Sequence, residues 1–185
     1  MSKKLRIWFN HSFSTTYHFI ELIKKNFENR EFEIFGTHAT SNAVYLALCD
    51  HIDLEPQVKD SEYLDFCLDF CLKNEIDILI PGYKRLFLIG ENLEEFTKIG
   101  VKVLISSDKN FLEEVKDKSK TYQIFEKNKL IEIPESYVVT NAEEFKVAYQ
   151  KIIDNDNKVC FKPTIAEGGI GFRIIDPKAD SYAYM

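Results

Sequence analysis

At 185 residues, with 45% hydrophobic and 29% charged side chains, the chain has the composition of a folded globular protein, which excludes disordered and fibrous classes. Its 24 Lys and Arg against 30 Asp and Glu give a net charge of -6, so no general basic field is available to hold a nucleic-acid backbone. No apolar run approaches the roughly 20 residues that a membrane-spanning helix needs, and Met1-Ser2-Lys3-Lys4 leads directly into a strand pattern rather than a signal-peptide apolar region, so a cytoplasmic protein is expected.

Short apolar runs then alternate with amphipathic stretches, the one-dimensional form of a parallel sheet with crossover helices. Lys4 to Asn10 reads as the first strand. Ser14 can cap a helix that carries Phe19, Ile20, Leu22, Ile23 and Phe27 at helical spacing, and Glu31 to Thr37 returns as a second strand. The stretch containing Ser41 to Leu48 gives no clear element. Asp60 or Ser61 opens a helix with a polar stripe at Glu62, Asp65, Asp69 and Lys73. Ile76 to Ile80 is a nearly continuous hydrophobic strand, stopped by Pro81-Gly82. A helix from Lys84 to Ile99 ends at Gly100, and Val101 to Ser106 is the fourth strand. Four such strands with intervening helices predict a doubly wound, mostly parallel α/β domain over residues 1–115.

From residue 116 to residue 185 the pattern changes to a small α+β unit. Asp117 to Lys129 is helical, Ser136 to Val139 is a short β-rich run, and Asn141 caps a helix reaching Ile153. Asp154-Asn155-Asp156-Asn157 makes a turn into Lys158 to Pro163, a strand, and Phe172 to Ile175 is another. Two β runs this close are most easily antiparallel neighbours, with Gly168-Gly169-Ile170-Gly171 at the tip. The cysteines at 49, 67, 71 and 160 make neither a disulfide framework nor a zinc site, and Cys67 and Cys71 read as small buried hydrophobes. His11, His18, His38 and His51 form no spaced ligand set.

The chemistry concentrates at Lys162-Pro163 and the glycines. A Walker-type phosphate loop has its Lys after the glycines and opens a helix, whereas Lys162 precedes them and the loop opens a strand. The dinucleotide fingerprint fails for the same reason, and Asn10-His11-Ser12-Phe13 after the first strand does not supply it. What remains is a nucleotide grip: Gly168, Gly169 and Gly171 lack Cβ atoms and let backbone amides approach a triphosphate, while Lys162 supplies a point charge.

These residues resemble the ATP-grasp ligases. Lys-Pro followed by Gly-Gly-x-Gly between strands looks like that fold, Asp117-Lys118 resembles the Asp-Lys pair that opens the module, and Ile133-Pro134 resembles its Ile-Pro step. Asp77-Ile78-Leu79-Ile80-Pro81-Gly82 and the helix before it resemble the preceding domain, especially in proteins similar to the carbamoyl-phosphate synthase large subunit. The resemblance implies a pre-ATP-grasp domain over 1–115 and an incomplete first ATP-grasp subdomain over 116–185, with Lys118, Lys162, Gly168, Gly169 and Gly171 on ATP phosphates. It implies a carboxylate–amine or carboxylate–thiol ligase working through an acyl phosphate, with Mg2+ ligands and catalytic residues in a further C-terminal lobe. The chain alone, as a truncated or split product, is then expected to be inactive. Small-molecule carboxylate and amine substrates follow from the same resemblance, and a homodimer is an open assembly.

Plainer readings stand beside these. Lys162 can be a solvated strand end and Lys118 a surface residue of a first helical turn. Arg173 reaches a phosphate or faces solvent, and Glu167 carries no assigned role. Asn10, His11 and Ser12, with Pro81-Gly82-Tyr83-Lys84, stand at carboxyl ends of strands where open α/β sheets place ligands, although loops there are polar in any case. The rival function is a non-catalytic α/β module that binds a small molecule or partner, its glycine loop only a flexible turn.

Overall fold

The computed structural model describes residues 4–10, 14–25, 29–59, 61–106, 109–129, 131–153, 158–166 and 168–176; His11, Phe27, Asp60, the expected turn at 154–157 and Glu167 lie outside them. The chain divides into two compact units, Met1–Leu112 and Glu113–Met185.

In the first unit β1 (Leu5–Asn10), β2 (Phe32–His38), β3 (His51–Leu54), β4 (Ile78–Pro81) and β5 (Lys102–Val103) form one sheet in the order β3-β2-β1-β4-β5. Every pairing is parallel. Because side chains alternate across a strand, the apolar runs feed two cores at once. Trp8, Phe35 and Leu79 point to one side, where α2 (Tyr63–Lys73), α3 (Tyr83–Glu91) and α4 (Leu93–Lys98) supply Tyr63, Cys67, Phe70, Cys71, Ile89 and Phe96. Ile7, Phe9, Ile34 and Ile80 point to the other, against Ile20 of α1 (Thr16–Lys25) and Tyr45 and Leu46 of a 3-10 helix (Val44–Leu48). Burying a large side chain of this kind stabilises by about 1.5 to 3 kcal/mol, so the two layers hold the sheet from both faces. Cys67 and Cys71 are buried in the first core as the composition of their helix predicts, and burial pushes the Cys71 thiol up to about 12.

The sheet has five strands where four are expected. The extra one, β3, is an edge strand of four residues, all exposed, pairing Phe35 to His38 with His51 to Leu54. Its mixture of His, Ile, Asp and Leu has no core face to reveal it. Gly36 of β2 is required by packing, since a Cβ there would meet Cys49 Sγ and Leu46 Cδ2 beneath the 3-10 helix. The helix expected over Lys84 to Ile99 is two helices. Asn92 breaks it at φ -120, its side chain donating to Leu88 O at 2.8 Å and its amide to Ile89 O at 3.0 Å. Gly100 ends the second at φ +82, with Gly100 N donating to Thr97 O at 3.0 Å and Val101 N to Phe96 O at 2.9 Å. Ser14 contributes its carbonyl rather than its side chain, accepting Tyr17 N at 3.0 Å.

α5 (Lys109–Lys116) runs across the division between the units. In the second unit α6 (Lys118–Asn128) starts at its cap Asp117, and α7 (Ala142–Ile152) at Asn141, whose side chain accepts Glu144 N at 2.9 Å. β6 (Val159–Phe161) and β7 (Arg173–Ile175) are antiparallel, as the short glycine connection predicts. The β-rich run Ser136 to Val139 joins no strand ladder among the described residues. Exposed Ser136, Tyr137 and Val138, with no partner strand among the described residues, leave it as extended connection.

Candidate functional site

The glycine connection is shaped by its own backbone. Gly168, Gly169 and Gly171 have φ of +58, +77 and +75, the left-handed region that other residues avoid. A Cβ on Gly168 or Gly169 would meet nothing within 4 Å, so those two present bare backbone to open space; a Cβ on Gly171 would lie 2.6 Å from Pro163 Cγ. Pro163 and Gly171 thus close the base of the loop, and Phe172 N donates to Gly169 O at 3.0 Å across its tip.

The hairpin has two chemically different faces. Val159 pairs with Ile175 and Phe161 with Arg173, and this face packs on α7 through Phe145, whose ring is 5.6 Å from that of Phe161. Cys160 pairs with Ile174 on the opposite face. Extending the register by two residues adds Lys162 and Phe172, and Lys162 Nζ stands 5.8 Å over the Phe172 ring. Lys162, Phe172, Cys160 and Ile174 are all exposed, giving an open face with one cation above an apolar floor. Arg173 belongs to the α7 face, its guanidinium turned onto Phe172 O at 2.8 Å.

Lys118 comes to the same loop from α6. Its backbone N donates to Thr164 O at 2.9 Å, and its ammonium donates to Ala166 O at 3.0 Å and to Thr164 O at 3.4 Å. A lysine in a first helical turn opposes the positive end of the helix dipole. Asp117 offsets that: its carboxylate accepts Ser119 N at 2.9 Å and Ser119 Oγ at 2.7 Å, and the Ser119 hydroxyl holds the carboxyl below the usual range. Lys118, Lys162 and the three glycines therefore meet in one unit, which spacing alone did not require.

At the carboxyl ends of the first unit's strands the structure closes what the sequence leaves open. Asn10 is fully buried, and its side chain accepts Gly82 N at 3.1 Å and donates to the Tyr63 hydroxyl at 3.3 Å. Trp8 Nε1 donates to Thr37 Oγ1 at 2.9 Å, Thr37 donates to Glu55 at 2.7 Å, and Tyr63 donates to Glu55 at 3.2 Å. Arg85 pairs with Glu55 and donates to the Tyr63 hydroxyl at 3.2 Å. Burial pushes the Glu55 carboxyl up against the pull of the guanidinium and two hydroxyls, and pushes the Tyr63 hydroxyl up as well. Burial also works against the charge of Arg85, but the facing Glu55 carboxylate more than restores it. Asn10, Pro81 and Gly82 are part of this filled interior rather than an open crevice lining. Glu55 and Arg85 escape sequence reading because Glu55 follows an edge strand that carries no pattern and Arg85 stands beside Lys84 in a first helical turn, where a cation reads as ordinary surface.

Among the described residues no three His, Cys, Asp or Glu side chains converge on a metal-sized site, and no helix is long and apolar enough to cross a membrane.

The sequence matches the family model of the PylC-like N-terminal domain over residues 11–104. A search of curated proteins gives no match. Among solved structures, the chain is similar to a biotin carboxylase from Campylobacter jejuni in complex with beta-gamma-ATP: identity is 21%, TM-score 0.63, with 95% of this chain and 39% of that one covered. An N5-carboxyaminoimidazole synthetase from Staphylococcus aureus complexed with ADP gives 10% identity, TM-score 0.63 and coverage of 95% and 43%. The biotin carboxylase domain of the Hydrogenobacter thermophilus 2-oxoglutarate carboxylase, a dimer with MgADP, ADP and bicarbonate, gives 18%, 0.58 and 92% and 37%. At these identities the likeness is one of fold, and the chain spans 37% to 43% of these structures' length. The doubly wound parallel sheet and the resemblance drawn from the motifs agree with this fold, and the family match extends over more than half of the residues. The chain belongs to the PylC-like N-terminal domain family.

Proposed function

We propose that this chain is the amino-terminal part of a cytoplasmic ATP-dependent ligase, similar to the carbamoyl-phosphate synthase large subunit, that joins a carboxylate to an amine or thiol. The first unit is the pre-ATP-grasp domain. The second is the first ATP-grasp subdomain, in which Lys118, Lys162 and the amides around Gly168, Gly169 and Gly171 hold ATP phosphates.

The observation that carries the reading is that one lysine reaches the loop from a neighbouring helix while another stands on the hairpin's open face beside it. Two ammonium groups near left-handed glycines suit a polyphosphate, because point charges and unencumbered amides neutralise oxygen charge without side-chain rearrangement. The apolar floor of Phe172 and Ile174 suits a flat base better than a second charge. Bound ATP would supply the phosphoryl group that activates the carboxylate, and Mg2+ would be held by residues of a further lobe. That relatives of the same fold were solved with ADP or MgADP supports the nucleotide, and one relative's description as a dimer supports a homodimer.

The test is MgATP binding by the complete ligase with Lys162→Ala. Loss of one phosphate-facing charge is expected to weaken binding at least tenfold, equivalent to about 1.4 kcal/mol. Unchanged affinity would sink the phosphate seat and favour a non-catalytic small-molecule or partner-binding module, for which the closed, fully bonded interior of the first unit is a sufficient scaffold.

A further inference from the structure

We propose that Lys118 is a latch on the glycine loop: its ammonium holds the entry of the loop while no anion is bound and gives up those contacts to a polyphosphate. The proposal rests on the phosphate seat read above and goes beyond it by giving the same ammonium a task in the ligand-free protein.

Three donations from one residue converge on two carbonyls. Lys118 N and Nζ both reach Thr164 O, at 2.9 and 3.4 Å, and Nζ reaches Ala166 O at 3.0 Å. The half-buried stem of Lys118 limits where the ammonium can go, and its position on the first turn of α6 gives the loop an anchor in a regular element. The opposite side of the loop is fixed by different means, through Gly171 against Pro163 and Phe172 N on Gly169 O. Between these anchors Gly168 and Gly169 have no packing partner within 4 Å of a would-be Cβ. Without the ammonium, the entry of the loop keeps, among the described residues, only the Lys118 amide on Thr164 O.

A carbonyl is a neutral acceptor and a phosphate oxygen a charged one. Hydrogen bonds to ionised acceptors are roughly twice as strong, so an ammonium shared between carbonyls is available to an incoming polyphosphate. Lys162 offers a parallel case: its ammonium rests over the Phe172 ring, a weak partner that a phosphate readily replaces. Lys162 holds no loop carbonyl, however, so the two lysines should differ in one measurable respect. Loss of Lys118 should loosen the free loop; loss of Lys162 should not.

Amide hydrogen exchange resolved by NMR on the 185-residue chain without ligand tests the holding function. Lys118→Met is expected to speed exchange at Ile165, Ala166, Gly168, Gly169 and Phe172 roughly tenfold, with β1 to β4 unchanged. Lys162→Met should stay within twofold of the parent there. Rates in Lys118→Met within twofold of the parent overturn the latch. Should Lys118→Met melt the hairpin itself, seen as lost protection at Val159 to Phe161, Lys118→Arg decides: restored loop protection upholds the latch and none overturns it.

Inorganic tripolyphosphate tests the release. Saturation should move the carbonyl resonances of Thr164 and Ala166 together with the side-chain resonances of Lys118. Binding at Gly168 and Gly169 that leaves those carbonyls unmoved overturns the release. Absence of any binding overturns the release together with the phosphate seat, and the ligand-free comparison still decides the holding function separately.

Discussion

The Asn10 carboxamide oxygen accepts the Gly82 amide at 3.1 Å, joining residues 72 apart in sequence across β1 and β4. These two strands flank the point where the winding of the sheet reverses, the position at which open α/β sheets leave a crevice. Here the crevice floor is already occupied by Asn10, Tyr63, Arg85, Glu55 and Thr37, each buried and bonded to the next. A ligand approaching this switch point would therefore meet a filled network rather than an open floor.

The Glu55–Arg85 pair predicts an asymmetric cost of mutation. Side chains with 0% and 4% exposure have lost their hydration, so removing one partner strands the other's charge. Arg85→Met should lower stability by about 3 to 5 kcal/mol, while the double variant Glu55→Gln, Arg85→Met should cost less than the sum of its two singles. Urea unfolding followed by fluorescence checks this directly, because the chain has one tryptophan, Trp8, fully buried against Thr37 in the same unit. Additive costs would mean that the two charges do not share their burial.

Acid sensitivity should come in part from Glu33. His51 donates to its carboxylate at 2.8 Å, Arg6 at 3.1 Å, and Lys4 lies at 3.9 Å. The His51 bond, with the two cations, outweighs partial burial and holds the carboxyl below its ordinary 4.5. A depressed carboxyl binds fewer protons folded than unfolded. Its stabilisation is therefore complete above pH 4.5 and is lost as pH falls below that through the folded value. Glu33→Gln should lower stability at pH 7 by about 0.5 to 1 kcal/mol and flatten its decline on acidification. Unfolding midpoints of parent and variant measured from pH 7 down to about 3 would converge at the acid end; a constant gap would remove Glu33 from the acid response.

Much of the architecture is legible because strong patterns have single physical causes. Trp8 and Phe9, or Leu79 and Ile80, can be buried on opposite faces only in a sheet covered on both sides. Gly100 and Asn141 mark helix ends through backbone requirements that few residues meet. Less legible elements lack such a cause. His51 to Leu54 gains its place only by pairing with β2, a contact the local sequence does not encode. Asn92 splits a helix through bonds to Leu88 and Ile89 that an uninterrupted helix would also tolerate. At the candidate site, Lys162 and the glycines announce themselves by composition. The hold of Lys118 on Ala166 spans 48 residues and is set by where α6 packs, so only the folded chain reveals it.

Two glycines with the same sign of φ should respond differently to alanine. Gly100 at +82 has nothing within 4 Å of an added Cβ, so Gly100→Ala bears only the left-handed backbone penalty, about 1 kcal/mol. Gly171 at +75 adds a clash, since its Cβ would lie 2.6 Å from Pro163 Cγ and 3.1 Å from Pro163 Cδ. The rigid pyrrolidine ring cannot swing aside as a flexible side chain would. Gly171→Ala should therefore cost roughly 2 kcal/mol or more and should separate the base of the loop from Lys162-Pro163. Gly171→Ala combined with Pro163→Ala relieves the ring contact, and should recover part of that loss while leaving the backbone penalty. Amide exchange at Val159 to Phe161 and Arg173 to Ile175 measures the hairpin separately from the first unit. Equal protection in Gly171→Ala and the parent would mean that the loop accommodates a side chain there, and the closed base inferred from Pro163 would have to be abandoned.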